Sequence, residues 1–342
     1  MAVAKAFLFN FAASYSGGGL KRLAEYARWF HENGGAWFII HPRCARLIEE
    51  CPANRFFVPA QPRYQRLFAD CRYLGPIGKE IGRPQLYYSY GIPLYERFGA
   101  INWFHVSNVL PLAAQSVPLS LFDRLKLGYL GGRIRDNLQN ADVISAESRC
   151  SLGLIDAQHA GKLFLSVNGS DDELAYLQEK SPEKKEDIAI VVGTYRYKAI
   201  ADSHKVFAML RRENQHLKLM IIGNEETIPG EVRRDKDVIV RGVVERSEVA
   251  ACLRKARYYI ASTHIENSYN AAAEGVFVAD ESYISDIGPH RELLANLPFD
   301  EIAVPGVHRP FLRVRRENLS GAGLKTWESV ITDMIRKVRA ST

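Results

Sequence analysis

Two acids, Glu266 and Glu274, bracket the seven residues Asn267-Ser268-Tyr269-Asn270-Ala271-Ala272-Ala273. They follow directly on an apolar run at 258–261 that reads as a strand. A helix starting near Ser268 would aim its first-turn amides at an anion. Glu266 would then precede the helix, and Glu274 would lie about two turns along it. Such a strand–loop–helix holds a phosphate and offers carboxylates to sugar or ribose hydroxyls. An E-x7-E spacing alone also arises as a pair of surface acids.

Three further segments carry chemistry of the same kind. Gly193-Thr194-Tyr195-Arg196-Tyr197-Lys198 follows the first strand of the second half. In open α/β sheets ligands bind beyond the carboxyl ends of strands, and Arg196 and Lys198 there suit a diphosphate. As exposed loop charges they would add little stability. Gly17-Gly18-Gly19 stands between the first strand and a helix, where glycines admit close approach to an anion or simply form a tight turn. G-x-G-x-x-G is absent, which counts against a dinucleotide site. Asn168-Gly169-Ser170-Asp171 is a turn at the junction of the two halves. His105 ends another strand.

The elements that must position these residues alternate in type. Strand-like runs fall at 7–10, 37–40, 56–58, 101–105, 143–145 and 163–167. They resume at 188–192, 217–222, 238–240, 258–261 and 283–285. Alternation of such runs with helical ones indicates parallel α/β sheets. A polar stretch at 178–187 reads as a linker or exposed loop. The expected division is therefore 1–165, 166–323, and a last helix at 324–342. Leu324, Trp327, Val330, Ile331, Met334, Ile335 and Val338 recur there at helical spacing.

Composition narrows the function. The 342 residues are 47% hydrophobic and 25% charged, which is ordinary for globular chains, and the length suits two domains. No apolar run approaches the roughly 20 residues of a membrane span. The start has no signal-peptide pattern, so a cytoplasmic location is expected. Cys44, Cys51, Cys71, Cys150 and Cys252 are scattered and form no C-x-x-C pair, which fits reduced thiols and no structural metal. The net charge of +6 favours anionic partners. No zinc pattern, aromatic RNA motif or basic helix supports nucleic acid. Basic and bulky apolar residues mix at 63–68 and 122–130, as they do on surfaces that touch anionic membranes. The same mixtures arise in amphipathic helices that bury their apolar side.

Taken in order along the chain, these motifs resemble the retaining glycosyltransferases of family 4. Glu266 and Glu274 match that family's E-x7-E motif, Asn168 through Asp171 its junction turn, and Gly193 through Lys198 its donor-phosphate loop. Val238 through Gly242, Ala261-Ser262, Ser285 through Glu292, and Trp327-Glu328 match further pieces. The resemblance is strong over 140–342 and thinner before that. Two departures stand out: Asn267-Ser268-Tyr269 replaces the usual Gly-Phe-Gly, and no Gly-Pro pair follows Glu274.

The resemblance implies a GT-B fold: two Rossmann-like domains, a central cleft, and a C-terminal helix returning to the first domain. It implies a retaining, metal-independent hexosyltransferase with no cofactor beyond a nucleotide diphosphate sugar. The acceptor would be a glycan or lipid-linked glycan of bacterial surface polysaccharide or lipopolysaccharide O-antigen. Glu266, His105, Lys198 and Arg196 take catalytic roles. Glu274, Gly193, Asn267, Ser268, Tyr269, Asn270, Gly17, Gly18 and Gly19 bind the nucleotide sugar. Peripheral contact with an anionic membrane at its inner face is expected, and nucleic acid is not. A non-catalytic GT-B subunit or nucleotide-sugar-binding protein is the alternative, and a hydrolase or epimerase of the same fold is also open.

Overall fold

A computed structural model describes residues 7–59, 73–114, 117–170, 185–195, 197–318 and 324–341. Arg196, Asp171, Cys71, the 63–68 segment and most of the 178–187 stretch lie outside them. Contacts divide the chain into two units. The first is Met1–Ala114, Ser120–Gly169 and Lys325–Thr342; the second is Gln115–Leu119 and Ser170–Leu324.

The first unit holds a seven-stranded sheet: β1 (Phe7–Phe11), β2 (Trp37–Ile40), β3 (Arg55–Phe57), β4 (Leu86–Tyr90), β5 (Ile101–His105), β6 (Val143–Ala146) and β7 (Leu163–Leu165). The order is β3-β2-β1-β4-β5-β6-β7, and every pairing is parallel. β1 and β4 are buried at all five positions, as parallel strands covered on both faces must be. β4 went unread in the sequence.

The helix Gly17–Glu32 buries Leu23, Tyr26, Ala27 and Phe30, one stripe of its surface. The last helix, Trp327–Ala340, is capped by Thr326, whose hydroxyl accepts the Ser329 amide at 3.2 Å. It buries Trp327, Val330, Ile331, Met334 and Val338 in the core that contains Phe7, Phe9, Tyr26 and Phe30. Each such side chain contributes about 1.5–3 kcal/mol by leaving water. The helix therefore belongs to the first unit although 155 residues of the second, 170–324, precede it. Gly169 makes this possible: a Cβ there would stand 2.6 Å from the Trp327 ring. The Asn168-Gly169 turn is thus a packing device for the last helix.

The second unit's sheet comprises β8 (Glu186–Val192), β9 (Lys218–Ile222), β10 (Val238–Gly242), β11 (Ala256–Ala261), β12 (Glu281–Ser285), β13 (Asp300–Ile302) and β14 (Phe311–Arg315). Its order is β10-β9-β8-β11-β12-β14-β13. β10 through β12 are parallel neighbours along that order, while β14 runs antiparallel to both β12 and β13. This antiparallel edge had no counterpart in the sequence reading.

Candidate functional site

In the second unit the chain lays β9 and β10 on one side of β8, then crosses to place β11 and β12 on the other. The switch point lies between β8 and β11, where the diverging connections leave a crevice beyond the strand ends. Both sequence motifs of that unit arrive there. Gly193, at φ +85°, turns the chain out of β8, a conformation that favours glycine. The loop then returns Lys198 over it, so that a Cβ on Gly193 would meet Lys198 Cε at 4.0 Å.

Hydrogen bonds fasten this loop to the segment that leaves β11. The His264 amide donates to the Tyr197 carbonyl at 2.9 Å, and the Ala199 amide to the Ser262 carbonyl at 3.0 Å. Fastened so, Lys198 Nζ forms an ion pair with Glu266. The Lys198 side chain is only 10% exposed and that of Glu266 18%. The expectation of an exposed loop charge is corrected: the lysine is held in the crevice by its carboxylate. Tyr195 and Tyr197 stack at 5.6 Å, with Tyr195 exposed. Burial, then Glu266, pushes the Tyr197 hydroxyl pKa up.

The helix after Glu266 is Asn270–Val278, so it starts two residues later than expected. Tyr269 is the cap position, and the Ser268 hydroxyl accepts the Asn270 amide at 3.3 Å. No acid occupies the first turn, which leaves that end favourable to an anion. Gly275 packs this helix against β11, since a Cβ there would strike the Tyr259 ring at 2.1 Å. Glu274 is held by Arg246 through two hydrogen bonds, at 2.6 and 2.7 Å. Its oxygens keep lone pairs for further donors. Burial, then Glu274 and Glu266, raises the Tyr259 hydroxyl pKa, so one phenol feels both acids.

His290 lies within the Ser285–Glu292 motif. It is buried beside this crevice, and its Nδ1 donates to the Ser285 carbonyl at 2.7 Å. Burial lowers its pKa to about 4, helped by the Lys198 charge, so the ring is neutral. Ser285 in turn accepts the Thr263 amide at 2.7 Å. The ends of β8, β11 and β12 are therefore joined in one network.

In the first unit the corresponding switch point lies between β1 and β4. Gly17, at φ +60°, and Gly18 border open space. Gly19 does not: a Cβ there would stand 3.0 Å from both Ser14 and Tyr90. The glycine there lets the helix pack closely on β4.

His105 is fully buried, with Nδ1 2.8 Å from the Ser145 hydroxyl and Nε2 3.5 Å from Glu147. It stacks on Tyr90 at 5.0 Å. Burial, then Arg22, lowers its pKa to about 4, against the pull of Glu147. A ring enclosed in this way is held within the buried network of this unit.

The centre of that network is Arg22, which the sequence reading passed over. It is completely buried and donates to Asn168 Oδ1 at 3.0 and 3.2 Å. It also bonds Ser166 Oγ at 3.1 Å and the carbonyls of Ser166 and Val167 at 3.0 and 3.2 Å. Its NH2 lies 3.8 Å from Glu147, which Tyr90 also bonds at 3.2 Å. Although burial opposes ionisation, His105 and Arg22 hold the Glu147 carboxyl below its ordinary pKa. The signal was legible: Arg22 sits on the apolar stripe of its helix, where a cation needs buried partners.

Among the described residues no cluster of three or more His, Cys, Asp or Glu is placed to hold a metal. Cys44 and Cys51 are buried free thiols, and Cys150 is exposed.

No family model matches the chain, and no curated protein does. Solved structures do match. Sucrose-phosphate synthase of Thermosynechococcus elongatus is 14% identical, with a TM-score of 0.68 over 98% of this chain and 100% of that one. Anabaena HepE in complex with UDP and glucose is 12% identical, with a TM-score of 0.56 over 98% and 92%. An α,α-trehalose-phosphate synthase (UDP-forming) of Burkholderia xenovorans, in complex with glucose-6-phosphate, is 11% identical, with a TM-score of 0.53 over 80% and 83%. The fold is GT-B. Two parallel-dominated α/β sheets and a last helix packed into the first unit are its parts in this chain.

Proposed function

We propose that the protein is a retaining hexosyltransferase similar to family 4, which takes its sugar from a nucleoside diphosphate donor, with a uridine diphosphate sugar the first to test. The observation that carries this reading is the Lys198–Glu266 pair at the β8/β11 switch point, beside a helix start free of acids. The fold neighbours include HepE in complex with UDP-glucose.

When donor binds, Lys198 turns from Glu266 to the diphosphate and Arg196 joins it. The first-turn amides from Asn270 onward add dipoles of the same sign. Glu266, released, accepts from sugar hydroxyls, and Glu274, oriented by Arg246, accepts from the ribose. As the bond from the anomeric carbon to the diphosphate oxygen breaks, negative charge grows on the phosphate. Once turned to the diphosphate, these cations lower the barrier because they need no further reorganisation as the bond breaks. The acceptor oxygen attacks from the same face, and its proton passes to the leaving phosphate oxygen. Charge compensation by Lys198 and Arg196 makes the transfer metal-independent. The acceptor in this proposal is a glycan or lipid-linked glycan of a bacterial surface polysaccharide, reached from the inner face of the membrane.

A donor-dependent release of UDP that requires acceptor glycan tests the reading. Asn267-Ser268-Tyr269, where the family carries Gly-Phe-Gly, favours a second reading, a nucleotide-sugar-binding protein without transfer. Tight donor binding with no UDP release under any acceptor would support that one instead.

A further inference from the structure

The helix Leu121–Asn137 has two apolar faces. Its buried side presents Leu130, Gly131 and Ile134 to the first unit. Gly131 is needed there, since a Cβ would strike the Pro111 carbonyl at 2.1 Å. The opposite side presents Leu121 at 75% exposure, Phe122 at 75%, Leu125 at 66% and Tyr129 at 52%. At about 100° per residue these four fall within about 100° of one another and about 180° from the buried stripe. Gly128 and Gly132 lie on that outer side, where a Cβ would meet nothing within 4 Å. Ten large apolar side chains are exposed among the described residues, and four of them are here. Scattered single exposures are ordinary, but a contiguous stripe on one helix marks an interaction surface.

The charges on its flanks indicate what covers it. Arg124 lies on one side of the stripe, and Lys126 and Arg133 lie on the other. Arg124 and Lys126 are exposed, and Arg133 is half-buried. Asp123 is turned aside into the helix cap, where it accepts from Ser120 Oγ at 2.6 Å. Asp136, also exposed, lies on the stripe's own side but in the last turn, about two turns beyond Tyr129. Leucines and aromatic rings between two rows of cations suit a helix lying in an anionic lipid surface: the rings enter the acyl boundary and the cations meet head groups. Among the described residues no helix is long and apolar enough to cross a membrane, so this contact would be peripheral.

We propose that the outer face of Leu121–Asn137 is a docking surface for an anionic membrane, with Leu121, Phe122, Leu125 and Tyr129 inserted and Arg124 and Lys126 on the head groups. It deepens the lipid-linked-acceptor reading above, and its test is independent of transfer activity.

The full chain is floated with phosphatidylcholine vesicles that carry about one third phosphatidylglycerol, and with neutral phosphatidylcholine vesicles. The protein is expected to float with the anionic vesicles alone, and less so as salt is raised. F122S/L125S should cut the bound fraction roughly ten-fold or more, and R124E/K126E should cut it several-fold. All four side chains are outward, so melting temperatures and UDP affinity should be unchanged in both variants. The latter separates failure of the surface from failure of the donor site. No flotation with anionic vesicles at low salt, or flotation undiminished in F122S/L125S, would overturn the proposal. So would a vesicle-free dimer in sedimentation velocity that the same double variant abolishes, because the stripe would then face a second copy of the chain.

Discussion

Replacing Arg22 by methionine keeps most of the side-chain volume and removes one buried charge. The guanidinium gives up its bonds to Asn168, Ser166, Val167 and Tyr26. Glu147, whose side chain is 7% exposed, is left with Tyr90, His105 and Asn168 but without its cation. Removing one partner of a buried pair typically costs about 3–5 kcal/mol, most of it from the charge left behind. At roughly 2–4 °C per kcal/mol for a unit of this size, the melting temperature should fall by roughly 6–20 °C.

The deficit should depend on pH with a definite sign. Without Arg22 the Glu147 carboxyl and the His105 ring both gain affinity for a proton in the folded state. A raised folded pKa gives stability at low pH that is lost as pH rises, so the deficit should shrink between pH 7 and pH 5. Adding Glu147→Gln to Arg22→Met removes the orphaned charge, and the double variant should be more stable than the sum of the singles by about 1 kcal/mol or more. Scanning calorimetry of the four chains at both pH values measures this. A loss below about 1 kcal/mol for Arg22→Met, or strict additivity with Glu147→Gln, would refute the reasoning.

Other outcomes follow from the same geometry. Lys198→Ala should lower turnover on the order of 100-fold and, because Glu266 loses its partner, cost about 1–3 kcal/mol of stability. Adding Glu266→Gln should restore stability but not turnover, as denaturant titration and a UDP-release assay would show. His105 and His290 both have pKa values near 4 in the fold, below the ordinary histidine value near 6.5. The unfolded chain therefore binds more protons, and stability present above about pH 6.5 should be lost as pH falls toward 4, by about 3 kcal/mol for each. Denaturant midpoints between pH 7.5 and 4.5 test this, and the slope should flatten in His290→Asn. Gly169→Ala should cost about 1–3 kcal/mol by overpacking against Trp327, with faster hydrogen exchange concentrated in Trp327–Ala340.

What the sequence disclosed follows from what leaves a local trace. Long apolar runs revealed most of the parallel strands, and the spacing of Trp327, Val330, Ile331, Met334 and Val338 revealed the last helix. β4 was passed over because Tyr87, Ser89 and Tyr90 dilute its hydropathy, although its aromatic content favours a strand. The β13–β14 edge was missed because its alternating charges, as in Arg313 and Arg315, read as a loop. Lys198 and Glu266 were each legible as candidates from position after a strand. That they form one pair depends on β8 and β11 being neighbours, which is a property of sheet order. The Arg22–Glu147–His105 cluster joins residues 42 to 125 positions apart, and no local spacing records it. His105 and Gly19 show the converse: their residue types suggest chemistry, while their burial and close packing are set by neighbours distant in sequence.

The central claim is that the β8/β11 switch point holds a nucleoside diphosphate through Lys198. Titrating UDP into the wild-type chain and into Lys198→Ala by calorimetry, with the melting temperature followed in parallel, tests it most directly. Saturable binding is expected, with about 2.7 kcal/mol of stabilisation at one hundred times Kd, and affinity at least ten-fold weaker in Lys198→Ala. Equal affinity in the two chains, or no binding of UDP at millimolar concentration to a wild-type chain that melts cooperatively, would contradict the account.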